Sequence, residues 1–410
     1  MPADGTIYDA AVVGAGPAGS AAAIHLARAG CRVVLLDKAA FPRDKPCAEY
    51  LSPAAEPLLR ELGVLDEIAA AHPARLRGFR IYAPNGRCFQ GDFAATRDSA
   101  GQPYFETGLA VPRLVLDAAL VRGAQAAGAE LRERWRLATL VRDAGIWTLT
   151  PVPSGEPVRA RLLIAADGVH STVAQRLGLR VGGRLRKIAL VAHLRGIASL
   201  ADYGEMHVAS RRYVGLAPLD PPARGDRCNV AMVVDERRDG PRLAGRPEAF
   251  LREALETFPR LHGRLDHAHV VRPTLAVSRL SVHVRRLSGD GLLLAGDAGG
   301  YFDPFTGEGI YHALRTAQLA ARVAHDALSQ GTLNADTLAR YDRLCRADFR
   351  GKRAVEYLIQ SAVQVPPLAN RLAAVMARKP DLPHTVVAVT GDFLPPAAIL
   401  RPGFLLRLLV

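Results

Sequence analysis

Three glycines, three aspartates and an arginine, lysine and cysteine at alternate positions carry the chemistry this sequence offers. Gly14, Gly16 and Gly19 stand in G-x-G-x-x-G spacing directly after the apolar run at 10–13. Each has a mechanical reason in a dinucleotide site. The first permits a tight turn, the second lets a pyrophosphate approach the backbone, and the third lets a helix pack closely on a strand. Asp37 follows where a carboxylate would accept hydrogen bonds from ribose hydroxyls. This fingerprint alone does not separate FAD from NAD. Asp167-Gly168 and Gly296-Asp297 each close a later apolar run, placing polar groups at the carboxyl edge of a sheet, where α/β folds bind ligands. Arg43, Lys45 and Cys47 occupy a proline-bearing loop at 41–48. From spacing alone they read as a basic surface loop with a free thiol.

The elements that must position these residues are legible around them. Residues 18–29 are an alanine-rich helix ended by Gly30, and residues 31–36 resume as a buried strand that delivers Asp37. Free amides at that helix N-terminus would face phosphate with the favourable end of the helix dipole. Ser52-Pro53 opens an amphipathic helix, and Pro84-Asn85-Gly86 turns a hairpin over 78–90. Arg113 begins a helix with Leu116, Leu120 and Ala124 on one face, where it could meet phosphate or form a surface ion pair with Asp117. Strands are expected at 138–142, 146–151 and 162–166, with Ser171 opening the helix that follows Asp167. Between 188 and 234, four alternating strands suit an antiparallel sheet walling a substrate cavity. His193, His207 and Tyr213 on them read as ordinary packed or exposed side chains. Residues 292–295 form another strand, and a Gly/Pro-rich loop through Pro304, Gly307 and Gly309 leads into a long helix. That lead suggests a planar or anionic ligand against the loop. In the C-terminal part, residues 341–359 read as helix and Pro366-Pro367 as a break.

Composition limits the function classes. The 410 residues, 49% hydrophobic and 23% charged, suffice for two packed domains with a large core. The net charge of +13 comes from scattered arginines without a basic block, so nucleic acid is not the expected partner. Pairs such as Arg211-Arg212, Arg237-Arg238 and Arg285-Arg286 read as a solvated basic surface, with attraction for anionic membrane or an acidic carrier protein as the alternative. Five cysteines without C-x-x-C spacing speak against disulfides and zinc, and no metal site is expected. A cytoplasmic location is expected, with a peripheral place at the inner face of the membrane as the variant, since the apolar end at 393–410 could either pack on the core or dock on lipid.

Taken together, GAGPAG with Asp37, AADGVHS with Asp167 and LLLAGDAGGYFDPFTGEG with Asp297 resemble the flavoprotein superfamily typified by para-hydroxybenzoate hydroxylase and the geranylgeranyl reductases. The resemblance covers about the first 330 residues and implies FAD. It implies an α/β fold: a discontinuous Rossmann-like FAD-binding domain at 1–75, 108–180 and 281–330. A mainly antiparallel substrate domain is inserted at 76–107 and 181–280, and a helical C-terminal region follows at 331–410. It implies that Gly14, Gly16, Pro17, Ala18 and Gly19 with Asp37 and Lys38 hold the ADP half, and that Arg43 and Arg113 lie near the pyrophosphate. Asp167 would support the cofactor loop. Gly296 and Asp297 would meet the ribityl chain, and Pro304, Gly307, Gly309 and Ile310 would border the isoalloxazine.

FPRDKPC resembles the R-x-K-x-C-G segment of the geranylgeranyl-reductase branch, with Ala48 in place of the glycine. This puts Lys45, Cys47 and Pro304 in the catalytic set. The W-x-W-x-I-P signature of flavin halogenases is absent, and no second G-x-G-x-x-G exists to hold NAD(P)H, the expected electron donor. The implied reaction reduces carbon–carbon double bonds of an isoprenoid or polyene. The alternative is oxygen insertion into an aromatic or polyketide substrate, and a flavin-binding protein without turnover is the non-enzymatic reading. Oligomeric state is not readable from the sequence.

Overall fold

The computed structural model describes residues 6–183, 186–278, 280–301 and 303–409. Ile7–Val13 lies in the middle of a parallel sheet, flanked by Val33–Leu36 and Glu130–Arg132 on one side and by Val158–Ala165 and Leu292–Leu294 on the other. These strands read as continuous apolar runs because both faces are covered. Ala10, Val12 and Leu35 point into a core built with Pro17–Arg28, Arg113–Ala126 and Gly309–Ser329. Ala11, Val13 and Leu36 pack instead under the antiparallel hairpin Arg136–Asp143 and Ile146–Val152, whose Trp147 and Leu149 are buried. The carboxyl ends of three adjacent strands thus bring Gly14, Ala166 and Ala295 to one edge, although they are far apart in the chain.

A seven-stranded sheet stands beyond that edge, in the order His269–Ser278, Lys187–Arg195, Cys228–Asp235, Arg212–Pro218, Gly204–Ala209, Gly78–Tyr82 and Cys88–Asp92. Its pairs are antiparallel except Gly204–Ala209 with Gly78–Tyr82. The hairpin at 78–92 therefore joins strands more than a hundred residues later. One face of this sheet buries Leu190, Val214, Val230 and Met232 against the helix Pro247–Leu255.

The C-terminal part is helical, with Ala335–Val363, Pro366–Arg378 and Asp381–Thr390 followed by two short helices. Pro366 opens its helix rather than breaking one: at the first turn its missing N–H would have had no partner anyway. The chain end packs on the core: Ile399 and Phe404 are buried with Val355, Val375 and Leu382, while Leu406 is exposed. A second correction concerns the arginine pairs. Arg212 is buried and ion-paired with Asp239 at 3.0 Å, because its strand position turns it inward while Arg211 faces solvent. No helix among the described residues is long and apolar enough to cross a membrane.

Candidate functional site

The glycine turn divides its labour as the spacing predicts. Gly14 has φ +100°, and a Cβ there would lie 2.4 Å from the Ala166 carbonyl oxygen. At Gly19 a Cβ would lie 1.7 Å from the Gly14 carbonyl oxygen, so helix and strand meet without room for a side chain. Gly16 differs. Its nearest neighbours in that direction are Arg43 Nη2 at 3.5 Å and Arg113 Nη2 at 3.8 Å, which leaves a slot between the turn and two guanidinium groups. Pro17–Arg28 starts here with no side-chain cap. Pro17 brings no N–H, so the donors of this first turn are the amides of Gly16, Ala18 and Gly19.

Asp117 organises the two arginines. Fully buried, it accepts from Arg113 Nε and Nη2 at 2.7 Å each and takes Arg43 Nη1 at 3.1 Å. The ion pair expected at the surface is therefore interior. Burial works against the Arg113 charge, but Asp117 outweighs it and raises the pKa. The Nε of Arg43 is buried without a hydrogen-bond partner among the described residues. Asp37 accepts from the Ala15 and Ala39 amides, both at 2.8 Å, and lies 3.6 Å from Arg43. Lys38 beside it is exposed. Asp167 accepts from the Thr172 amide at 2.6 Å and the Val173 amide at 3.2 Å, fixing the start of Thr172–Arg176, while its Oδ1 is buried with no partner among the described residues.

From the glycine slot a cavity of about 190 Å³ runs between the two sheets. Gly16, Pro17, Ala18, Lys45, Cys47 and Arg113 line one end; Gly296, Asp297, Pro304, Gly307, Gly309 and Ile310 line its middle. The far wall is apolar: Ala189, Val191, Met206, Ala231, Val233 and Leu280. Of the residues expected from the sequence, Gly14, Gly19, Asp37, Lys38, Arg43 and Asp167 are not on this wall. The two glycines underlie the turn, Asp37 and Arg43 close its outer side, and Asp167 stands behind Gly168. The Asp297 carboxylate accepts no hydrogen bond from any described residue; burial raises its pKa, against Lys45 and Arg113. Burial lowers that of Lys45, and Arg113 adds to the effect.

Two hubs escaped sequence reasoning. Glu49, with φ +58°, is buried beside Cys47. Its Oε1 accepts from the Arg113 amide at 2.9 Å, and its Oε2 accepts from Asn229 Nδ2 at 2.8 Å and meets His193 Nε2 at 2.6 Å. Asn229 also donates to the Cys47 carbonyl at 2.8 Å, so the 41–48 loop is clamped to the second sheet. Asp303 accepts from Tyr213 and Gln360 at 2.5 Å each and pairs with Lys187, tying the Gly/Pro loop to that sheet and to Ala335–Val363. His193 and Tyr213, read as ordinary, are therefore parts of these hubs. His207 remains structural, held by Glu205 at 2.8 Å. An acid directly after the Cys47 segment was the only sequence signal for Glu49.

At the start of Gly309–Ser329, burial raises Glu308 to about 8. An unfolded glutamate ionises near 4.5, so between these values the folded chain keeps a proton that the unfolded chain has released. This contribution to stability is full below 4.5 and falls as the pH rises to about 8. Glu308→Gln is expected to flatten the fall in Tm over that interval; an unchanged slope would show that the carboxyl ionises normally.

The FAD binding domain family profile matches residues 7–355. Conditioned medium factor receptor 1 of Dictyostelium discoideum is 31% identical over 362 residues, covering 84% of this chain and 69% of its own. Digeranylgeranylglycerophospholipid reductase 1 of Methanothermobacter thermautotrophicus is 30% identical over 359 residues, covering 86% and 85%. Among solved structures, a flavoprotein/dehydrogenase from Cytophaga hutchinsonii superposes with a TM-score of 0.80 at 19% identity, over 95% of this chain and 93% of its own. That likeness is one of fold.

Proposed function

The chain belongs to the FAD binding domain family and is an FAD-dependent oxidoreductase, and on that premise we propose that it reduces carbon–carbon double bonds of a hydrophobic isoprenoid or polyene, with NAD(P)H as electron donor. The observation that carries this reading is the apolar sheet wall facing the glycine loop, with Cys47 and Lys45 at the junction.

The residues present fit the cofactor. The slot at Gly16 between two guanidinium groups, the unpartnered Arg43 Nε and the unbonded Asp297 carboxylate are a cationic groove followed by an acceptor. The amides of Gly16, Ala18 and Gly19 with Arg43 and Arg113 would hold the pyrophosphate, Asp37 the adenosine ribose and Asp297 the ribityl hydroxyls. When bound there, FAD supplies reversible two-electron hydride chemistry. Asp297→Ala is expected to weaken FAD retention at least tenfold, read from absorbance after gel filtration; full loading would remove Asp297 from the site.

The chain's own part in saturating a double bond is positional and protic. The apolar wall orients the substrate and excludes water from the reacting carbons. One hydrogen must arrive as a proton, and Cys47 Sγ is placed to hold it, in a loop fixed by Asn229 and Glu49. Lys45, its pKa lowered by burial, lines the same cavity two residues before the thiol and can return a proton to it. The test compares lipid and polyketide extracts of the source strain with and without the gene by high-resolution mass spectrometry. A product heavier by two hydrogens than the compound accumulating in the deletion supports the reductase; one heavier by an oxygen overturns it in favour of a monooxygenase.

A further inference from the structure

Behind the Gly/Pro loop lies a second cleft of about 590 Å³, bounded by residues 283–287, 299–301, 303, 306, 308–309 and the middle of Ala335–Val363. Tyr301 and Gly309 border both this cleft and the cavity described above, so a single loop separates the two. Arg346, Arg350 and Arg353 fall at i, i+4 and i+7 on one stripe of the helix, and Arg285 and Arg286 face them from the strand side. Such like-charged neighbours destabilise an unliganded helix face.

The acids nearby leave these charges largely uncompensated. Asp342 is occupied by the Leu287 amide at 2.9 Å and by Ser288. Asp303 is held by Tyr213, Gln360 and Lys187, and Asp348 carries Arg315 at 2.7 Å. Lys352 pairs with Asp392. Of the remaining acids, Glu308 and Glu356 are half-buried, and desolvation raises the pKa of both, to about 8 and about 7. None of the five arginines has an ion-pair partner among the described residues. Phe349, Tyr357 and Leu287 supply apolar surface next to them.

We propose that this cleft binds an organic phosphate carrying at least two negative charges, a phosphomonoester or diphosphate, with its organic part against Phe349 and Tyr357. Guanidinium groups take phosphate oxygens in pairs, and five of them exceed what one carboxylate needs. The assignment holds whichever reaction the first cavity performs. The phosphate could belong to a substrate head group or to a nucleotide reductant, which share this chemistry.

The test is calorimetric titration of the FAD-loaded protein with inorganic pyrophosphate, loading having filled the other cationic slot. Arg350→Ala with Arg353→Ala should weaken binding at least tenfold, and Arg346→Ala, measured in parallel, should weaken it severalfold. The exposed Arg237→Ala should leave it unchanged. Bound flavin absorbance checks that each variant is folded. Displacement of pyrophosphate by a prenyl diphosphate assigns the cleft to the substrate; displacement by NADPH assigns it to the reductant. Absence of binding, equal affinity in the wild type and the arginine variants, or displacement by neither compound overturns the proposal.

Discussion

Asp117→Ala is expected to destabilise the protein by about 3–5 kcal/mol, the usual cost of removing one partner from a buried ion pair. The reason is specific to this site. One carboxylate with no exposed surface neutralises both Arg113, itself 4% exposed, and Arg43, so its loss leaves buried Arg113 without its acid and Arg43 with only Asp37 at 3.6 Å. Denaturant unfolding of the apoprotein measures the effect. The compensated variant Arg113→Met with Asp117→Leu separates two roles of the cluster. It should recover much of the stability, since apolar replacement of a buried pair is often tolerated, yet still retain FAD poorly because one guanidinium of the slot is gone. A loss below about 1 kcal/mol for Asp117→Ala would show that the arginines find other partners and that the cluster is not the keystone of the slot.

Cys47→Ala is expected to slow substrate turnover by about a hundredfold or more, within the usual range for a positioned proton donor, while flavin reduction by the donor keeps its rate. Stopped-flow measurement of the two half-reactions separates them. Cys47→Ser should retain an intermediate rate, because a hydroxyl can still relay a proton from solvent or Lys45. Equal turnover in Cys47→Ala and wild type would reduce Cys47 to a wall residue and move the proton to a bound water.

The parts of this site legible in the sequence are those whose partners lie within one strand–turn–helix unit. Gly14, Gly16 and Gly19 are separated by a few residues, and Asp37 contacts Ala15 across a single helix. Their spacing encodes their geometry. Glu49 is the opposite case: its partners Arg113, His193, Asn229 and Arg272 lie 64, 144, 180 and 223 residues away, so no local pattern marks it. Asp303 likewise joins Lys187 and Gln360 through tertiary packing alone. The same limit explains Arg113, whose ion pair with Asp117 follows from i, i+4 spacing but whose depth does not. Pro366-Pro367 marked a boundary correctly in place and wrongly in sense, because proline punctuates a helix at either end.

The parallel sheet has a consequence for how the chain acquires its structure. Ile7–Val13 pairs with Val158–Ala165, which in turn pairs with Leu292–Leu294, so the edge that carries the glycine turn is assembled from strands spread over nearly three quarters of the polypeptide. The early hairpin at 78–92 waits in the same way for Gly204–Ala209. On a ribosome the N-terminal segment therefore emerges long before its partners, with apolar strand edges that only later neighbours can cover. The sheet edge closes only once the strand at 292–294 has been made, so the cofactor slot is completed late in synthesis and its strand edges stay uncovered longer than in a fold whose domains are continuous in sequence.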